Sequence, residues 1–102
     1  MTNDAVDAAR VAIENPNTGR TDGTIARSFY DPVRQAILDA IGEADGLPFA
    51  ELRAEVERRT PSELWKDASV GWYTTTVKLD LEAKGLVTKE GSPQILRLGA
   101  GA

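Results

Sequence analysis

The chain has 102 residues, 41% of them apolar and 27% charged, with a net charge of −4. This is one small domain with a modest core, since a chain of this length buries roughly 65% of its unfolded surface. It has no Cys and no His. That excludes disulfides, Cys-ligated zinc, iron–sulfur clusters and cysteine nucleophiles, and removes the commonest general base and neutral metal ligand.

An acidic total disfavours nucleic acid, because affinity there comes mostly from phosphate neutralisation. No apolar run approaches the roughly 18 residues that a membrane helix needs. Met1–Glu14 lacks the basic n-region and long apolar h-region of a signal peptide, so the expected location is the cytoplasm.

Residues 1–27 read as an N-terminal arm. Its Ala-rich stretch, residues 4–13, fits a short helix with Val6, Ala9 and Ile13 on one side. Val11, Ala12 and Ile13 fit an extended strand equally well. Asn15-Pro16-Asn17-Thr18-Gly19 is a turn: Asn side chains bond the backbone ahead, Pro16 fixes φ and Gly19 permits φ > 0. Thr21-Asp22-Gly23-Thr24 reads as a second turn. The segment is either a surface connector or an arm that folds back over the domain or over a partner subunit.

Residues 28–98 form the domain. Val33, Ala36, Ile37, Ala40, Ile41 and Ala44 recur at three- and four-residue steps and predict a first helix. Ser28 with Asp31 resembles a capping box, and Asp31-Pro32 is an alternative start. Gly42 or Gly46 ends it. Pro48 opens a second helix carrying Phe49, Leu52 and Val56, and Thr60-Pro61 stops it. Arg58 and Arg59 at its end suit the helix dipole. A link with Leu64 and Trp65 follows, with the shape of a helical turn. Ser69 or Asp67 then caps a third helix that reaches about Lys84, with Gly85 at its C′ position. Leu86–Lys89 and Gln94–Leu98 are β-prone runs joined by Glu90-Gly91-Ser92-Pro93. Residues 99–102 are a tail expected to fray.

Three helices and a hairpin, in this order, predict a mainly α, winged helix-turn-helix-like fold with an N-terminal arm. The hairpin closes the open edge of a three-helix core.

Certain motifs carry a resemblance. Leu79–Val87 reads LDLEAKGLV, after Val77 and before a Gly-containing hairpin, and resembles the recognition-helix end and wing start of bacterial winged-helix regulators. The wider set is Asn15-Pro16-Asn17, Gly19, Tyr30, Ala36-Ile37-Leu38, Gly71-Trp72, Val77, Leu79–Gly85 and Pro93. With these the chain resembles an uncharacterised family of small bacterial winged-helix-like proteins, from about Val11 to Leu98. The resemblance implies the fold and carries no activity.

At about 100° per residue, Val70, Tyr73, Thr74, Val77 and Leu81 share the core face of the third helix. Trp72, Thr75, Leu79, Glu82 and Ala83 lie opposite, with Thr76 nearby. Base readers are usually Arg, Lys, Asn or Gln, and none is central on this face: Lys78 is at its flank and Lys84 near the buried side. From Ser62 to Leu98 five bases meet five acids.

The outward face is instead apolar, and an indole of about 150–250 Å² calls for cover. The candidates are the arm through Val11, Ile13 or Ile25, a second subunit, or another protein. Trp72, Thr75, Thr76, Leu79 and Ala83 are therefore the candidate interaction face of a non-enzymatic module, expected to be a homodimer or to bind another protein. The alternative is a DNA-binding regulator using Thr75, Thr76, Lys78, Lys89 and Arg97. A third reading is a small-molecule sensor with a pocket around Trp65, Trp72 and Tyr73. Glu51, Glu55, Asp80 and Glu82 stand at helical spacings that solvated faces also show. No catalytic residue, metal ligand or cofactor is predicted, and no membrane partner.

Overall fold

The computed structural model describes residues 9–101. Residues 4–8, part of the stretch left open between helix and strand, lie outside them. From Arg10 onward the strand alternative is the one observed: β1 (Arg10–Asn15) pairs antiparallel with β2 (Arg20–Ala26).

The Asn-Pro-Asn-Thr-Gly turn joins the two strands as its chemistry requires. The Asn15 side chain accepts the Asn17 N–H at 2.8 Å, and the Asn15 carbonyl accepts the Gly19 N–H at 2.8 Å. The second expected turn, Thr21–Thr24, is corrected: these residues lie inside β2. Ala12 faces Thr24 and Glu14 faces Thr21, so Ile13 alone stands opposite Asp22 and Gly23. That extra residue is a β-bulge, and Gly23 adopts φ 103° to make it. Turn-type residues were used here to bend a strand, not to end one.

β2 runs directly into α1 (Arg27–Ala44). The expected starts at Ser28 or Asp31 are corrected, because Ala26 is the N-cap and no side chain caps it. Pro32 therefore sits inside the helix, where it cannot return a bond to the Ser28 carbonyl. Gly42 does not end α1. It lies inside the helix, where a Cβ would stand 3.4 Å from Leu98 Cδ1, an ordinary contact with the C-terminal hairpin. Gly46, the other expected end, is the one observed: α1 stops at Ala44, Asp45 is left-handed at φ 51° and donates its N–H to the Ile41 carbonyl, and Gly46 follows at φ 111°.

A two-residue strand, β3 (Leu47–Pro48), leads into α2 (Phe49–Arg59). Thr60 and Pro61 stop α2 as expected. The Thr60 hydroxyl donates to the Val56 carbonyl at 2.7 Å and accepts the Trp65 indole N–H at 2.8 Å. That bond pins a short 3-10 turn (Ser62–Trp65) to the helix end.

α3 (Val70–Ala83) is capped by Ser69, whose hydroxyl accepts the Trp72 N–H. Gly85 at φ 76° closes it. The Leu86 N–H bonds the Leu81 carbonyl and the Gly85 N–H the Glu82 carbonyl, the paired bonds of a Schellman ending. β4 (Val87–Glu90) and β5 (Ile95–Leu98) follow, and β3 adds to β5, giving a three-stranded antiparallel sheet in the order β3-β5-β4. Gly99 and Gly101, in the tail expected to fray, donate to the carbonyls of Leu86 and Gly85.

Among the described residues the fold is thus mixed: three helices and two small antiparallel sheets, with more strand than a mainly α fold. One core joins them. Val33, Ile37 and Ile41 of α1, Leu52 and Val56 of α2, Val77 and Leu81 of α3, and Val87 and Leu96 of the C-terminal sheet are buried in it. Ile13 and Ile25 extend it into the N-terminal hairpin. The arm folds back over its own domain, docking on α3 and α1.

Candidate functional site: the outward face of the third helix

The expected phase of α3 is borne out except at its charged positions: the Glu82 side chain, expected opposite the core, is only 6% exposed and pairs with Lys78. Val70, Thr74, Val77 and Leu81 are buried, and Tyr73 is partly so. Trp72 and Thr75 are exposed opposite them, with Thr76, Leu79 and Ala83 half-buried.

The expected intramolecular cover of Trp72 is corrected. The hairpin docks, but Ile13 and Ile25 are drawn into the core beside the indole, which stays 55% exposed. Trp72 is the outer end of a ladder of rings. It meets Tyr73 edge-on at 4.9 Å, and Tyr73 stacks on Phe29 at 4.4 Å. Trp65 packs against both Phe29 and Tyr73. The rings expected to frame a ligand pocket (Trp65, Trp72 and Tyr73) are thus packed on one another.

A groove of about 240 Å³ opens instead between the hairpin and α3. Ile13, Glu14, Asn15, Thr24 and Ile25 line it from the hairpin, and Trp72, Thr76 and Leu79 from α3. Three of the five expected face residues are brought into it; Thr75 and Ala83 are not.

Under the hairpin lies a buried polar cluster. Asp80 has no exposed surface, although its spacing read as that of a solvated carboxylate. It accepts the Tyr30 hydroxyl at 2.6 Å, the Lys84 ammonium at 2.9 Å and the Glu14 N–H at 2.9 Å. One carboxylate therefore ties α1, α3 and β1 together. Burial first, then hydrogen bonding to Asp80, raises the Tyr30 pKa above its ordinary value. Burial alone lowers that of Lys84, but the bonds and charges of Asp80 and Tyr30 outweigh it and the net direction is upward. A helix wheel places Asp80 about 60° from Val77, and that was the available signal; its charge argued the other way. Nothing local marks Glu14, because the hairpin's docking alone brings it to the groove.

The cations expected for DNA are otherwise engaged. Lys78 is buried, ion-paired with Glu82 and 4.6 Å from the centre of the Phe49 ring. Its placement on the outward flank is therefore corrected. α3 is covered on two sides, by the hairpin and α1 and by α2 and β4, so its buried face is wider than one stripe. Lys89 pairs with the same Glu82 at 3.2 Å. Arg97 bonds Glu90 at 2.7 Å and the Asp45 carbonyl at 3.0 Å, and the hydrogen bond and charge of Glu90, with a smaller part from the Asp45 carboxylate, raise its pKa. Arg59 bridges Glu55 within α2 to Glu43 on α1, a more specific role than the dipole. Among the described residues no group of three or more acidic side chains could hold a metal ion, and no helix is long and apolar enough to cross a membrane.

The fold and face define a small mixed α/β domain with an uncharged helix face and an aromatic-edged groove. Residues 10–96 match a family of unknown function (DUF6958), and the chain belongs to that family. No curated protein and no solved structure matches it.

Proposed function

We propose that the chain is a non-enzymatic winged-helix interaction module that pairs with a second copy of itself through the outward face of α3. The element order supports the winged-helix reading. α1, β3, α2 and α3 precede a two-stranded wing, and β3 completes the wing's sheet through Leu47–Leu96 and Pro48–Ile95. The observation that carries the interaction reading is Trp72, 55% exposed on a helix face.

A second copy is the favoured occupant because Trp72, Thr75, Thr76, Leu79 and Ala83 are uncharged. A two-fold interface sets each group near its own kind, so a charged face repels itself and this one does not. DNA is the less favoured occupant, since Lys78, Lys89 and Arg97 are each paired with a carboxylate.

Light scattering across a concentration series tests the reading. The unaltered protein is expected to approach the mass of a dimer. Trp72→Glu is expected to stay folded by circular dichroism and to be monomeric, because a charge cannot be buried unpaired at the interface. A monomer at every concentration for the unaltered protein refutes self-association.

A further inference from the structure

We propose that the groove between the β1–β2 hairpin and α3 is a binding site for a small organic cation with an apolar body, of the aralkyl-ammonium type. The groove has the makings of both halves of such a ligand. Ile13, Ile25 and Leu79 supply an apolar lining, and the Trp72 indole stands half-exposed beside them. An indole face attracts a cation through its quadrupole as well as offering stacking area.

The charge comes from Glu14, the one ionisable side chain among the lining residues. Three glutamates are at least half-buried in this fold: Glu14, Glu55 and Glu82. Glu55 is paired with Arg58 and Arg59, and Glu82 with Lys78 and Lys89. Among the described residues Glu14 alone of the three has no cation, and its carboxylate accepts no hydrogen bond. Of the hairpin bases, Arg10 is committed to the Thr24 hydroxyl at 2.7 Å and the Thr24 carbonyl at 3.0 Å, and Arg20, which stands opposite Asn15 beside Glu14's partner Thr21, makes no ion pair with Glu14. Glu14, half-buried, and the exposed Trp72 line the same groove, and an acidic residue and an indole in one groove are together complementary to a cation that comes from outside the chain.

The site rests on reading this face as a binding surface, but not on self-association, since every lining residue belongs to one chain. Thr75 is exposed on the same face and does not line the groove. Thr75→Glu therefore separates the two: it is expected to block pairing and leave the groove intact.

The experiment uses the full chain with Trp65→Phe, which leaves Trp72 as its only indole, with and without Thr75→Glu. Phenethylammonium, 2-phenylethanol and phenylacetate are titrated against Trp72 emission. The amine is expected to give a saturable change, with an affinity about tenfold above the alcohol from the combined carboxylate and indole contacts. Phenylacetate is expected not to bind. Glu14→Gln is expected to weaken the amine about three- to fivefold and leave the alcohol unchanged. Equal binding of amine and alcohol, saturable binding of phenylacetate, or no saturable change with the amine up to about 10 mM in the monomeric Thr75→Glu chain overturns the proposal. The ligand comparison on the Glu14-containing chain decides this even where Glu14→Gln fails to fold. Amine binding that persists in a monomeric Thr75→Glu chain supports the site independently of the dimer.

Discussion

Leu81 has no exposed surface and belongs to the cluster that joins all three helices and both sheets. Leu81→Ala is expected to destabilise by roughly 2–5 kcal/mol, the range for a cavity left in a packed core; an unchanged urea midpoint would contradict this. Asp80 is the polar counterpart. Its replacement by Ala leaves the Tyr30 hydroxyl and the Glu14 N–H without their acceptor and Lys84 without its counter-charge. The expected loss in urea denaturation is about 2–4 kcal/mol, near the lower end for a broken buried pair because Lys84 remains partly in water. The same cluster sets an alkaline limit. Tyr30 and Lys84 both hold their protons more tightly in the folded chain. Their contribution is therefore complete below about pH 10 and is lost as pH rises through their raised folded values. Asp80→Asn should flatten that alkaline fall in a pH series of thermal midpoints.

The hairpin is the element whose stability should differ most from the rest. Its attachment to the body depends on two buried side chains, Ile13 and Ile25, and on the Glu14–Asp80 bond. An isolated two-stranded hairpin is marginal in water, so β1 and β2 are expected to open together at lower free energy than α1 and α3. Native-state hydrogen exchange checks this: amides of Val11, Ala12 and Ile25 should exchange as one group, before those of Ile37 and Val77. Uniform protection across both groups would mean that the arm is part of one cooperative unit. The element boundaries show where local signals suffice. Ser69, Gly85 and Thr60-Pro61 place the ends of α3 and α2 correctly, because caps and stops act within one turn. Local signals misplace the start of α1, because β2 enters it directly and the packing of buried Tyr30 outweighs the capping signals at Ser28 and Asp31.

At the scale of the whole molecule, the net charge is −4, and Lys78, Lys89 and Arg97, the cations of the third helix and wing expected to meet phosphate, are each paired with a carboxylate. Mixed-sequence duplex at micromolar protein and about 50 mM salt is therefore expected not to shift in a binding assay. A clear shift, with a salt slope reduced by about 2 in Lys89→Ala plus Arg97→Ala, would make DNA the occupant of the α3 face.

The sequence by itself determined the three helices, the turn at Asn15–Gly19, the C-terminal hairpin and the inward phase of α3. Each depends on periodicity or on contacts within a few residues. It also placed Trp72 opposite the core. Only the tertiary structure decided that Thr21–Thr24 is a bulged strand, that Leu47–Pro48 joins a sheet with residues almost fifty positions away, and that Trp72 stays open while Ile13 and Ile25 are buried. Asp80 and Lys78 belong to the same class: charge alone marks both as surface residues, and only the partners Tyr30, Lys84 and Glu82 make their burial tolerable. Those partners, like the groove that Glu14 lines, come together by chain packing at separations that no local pattern records.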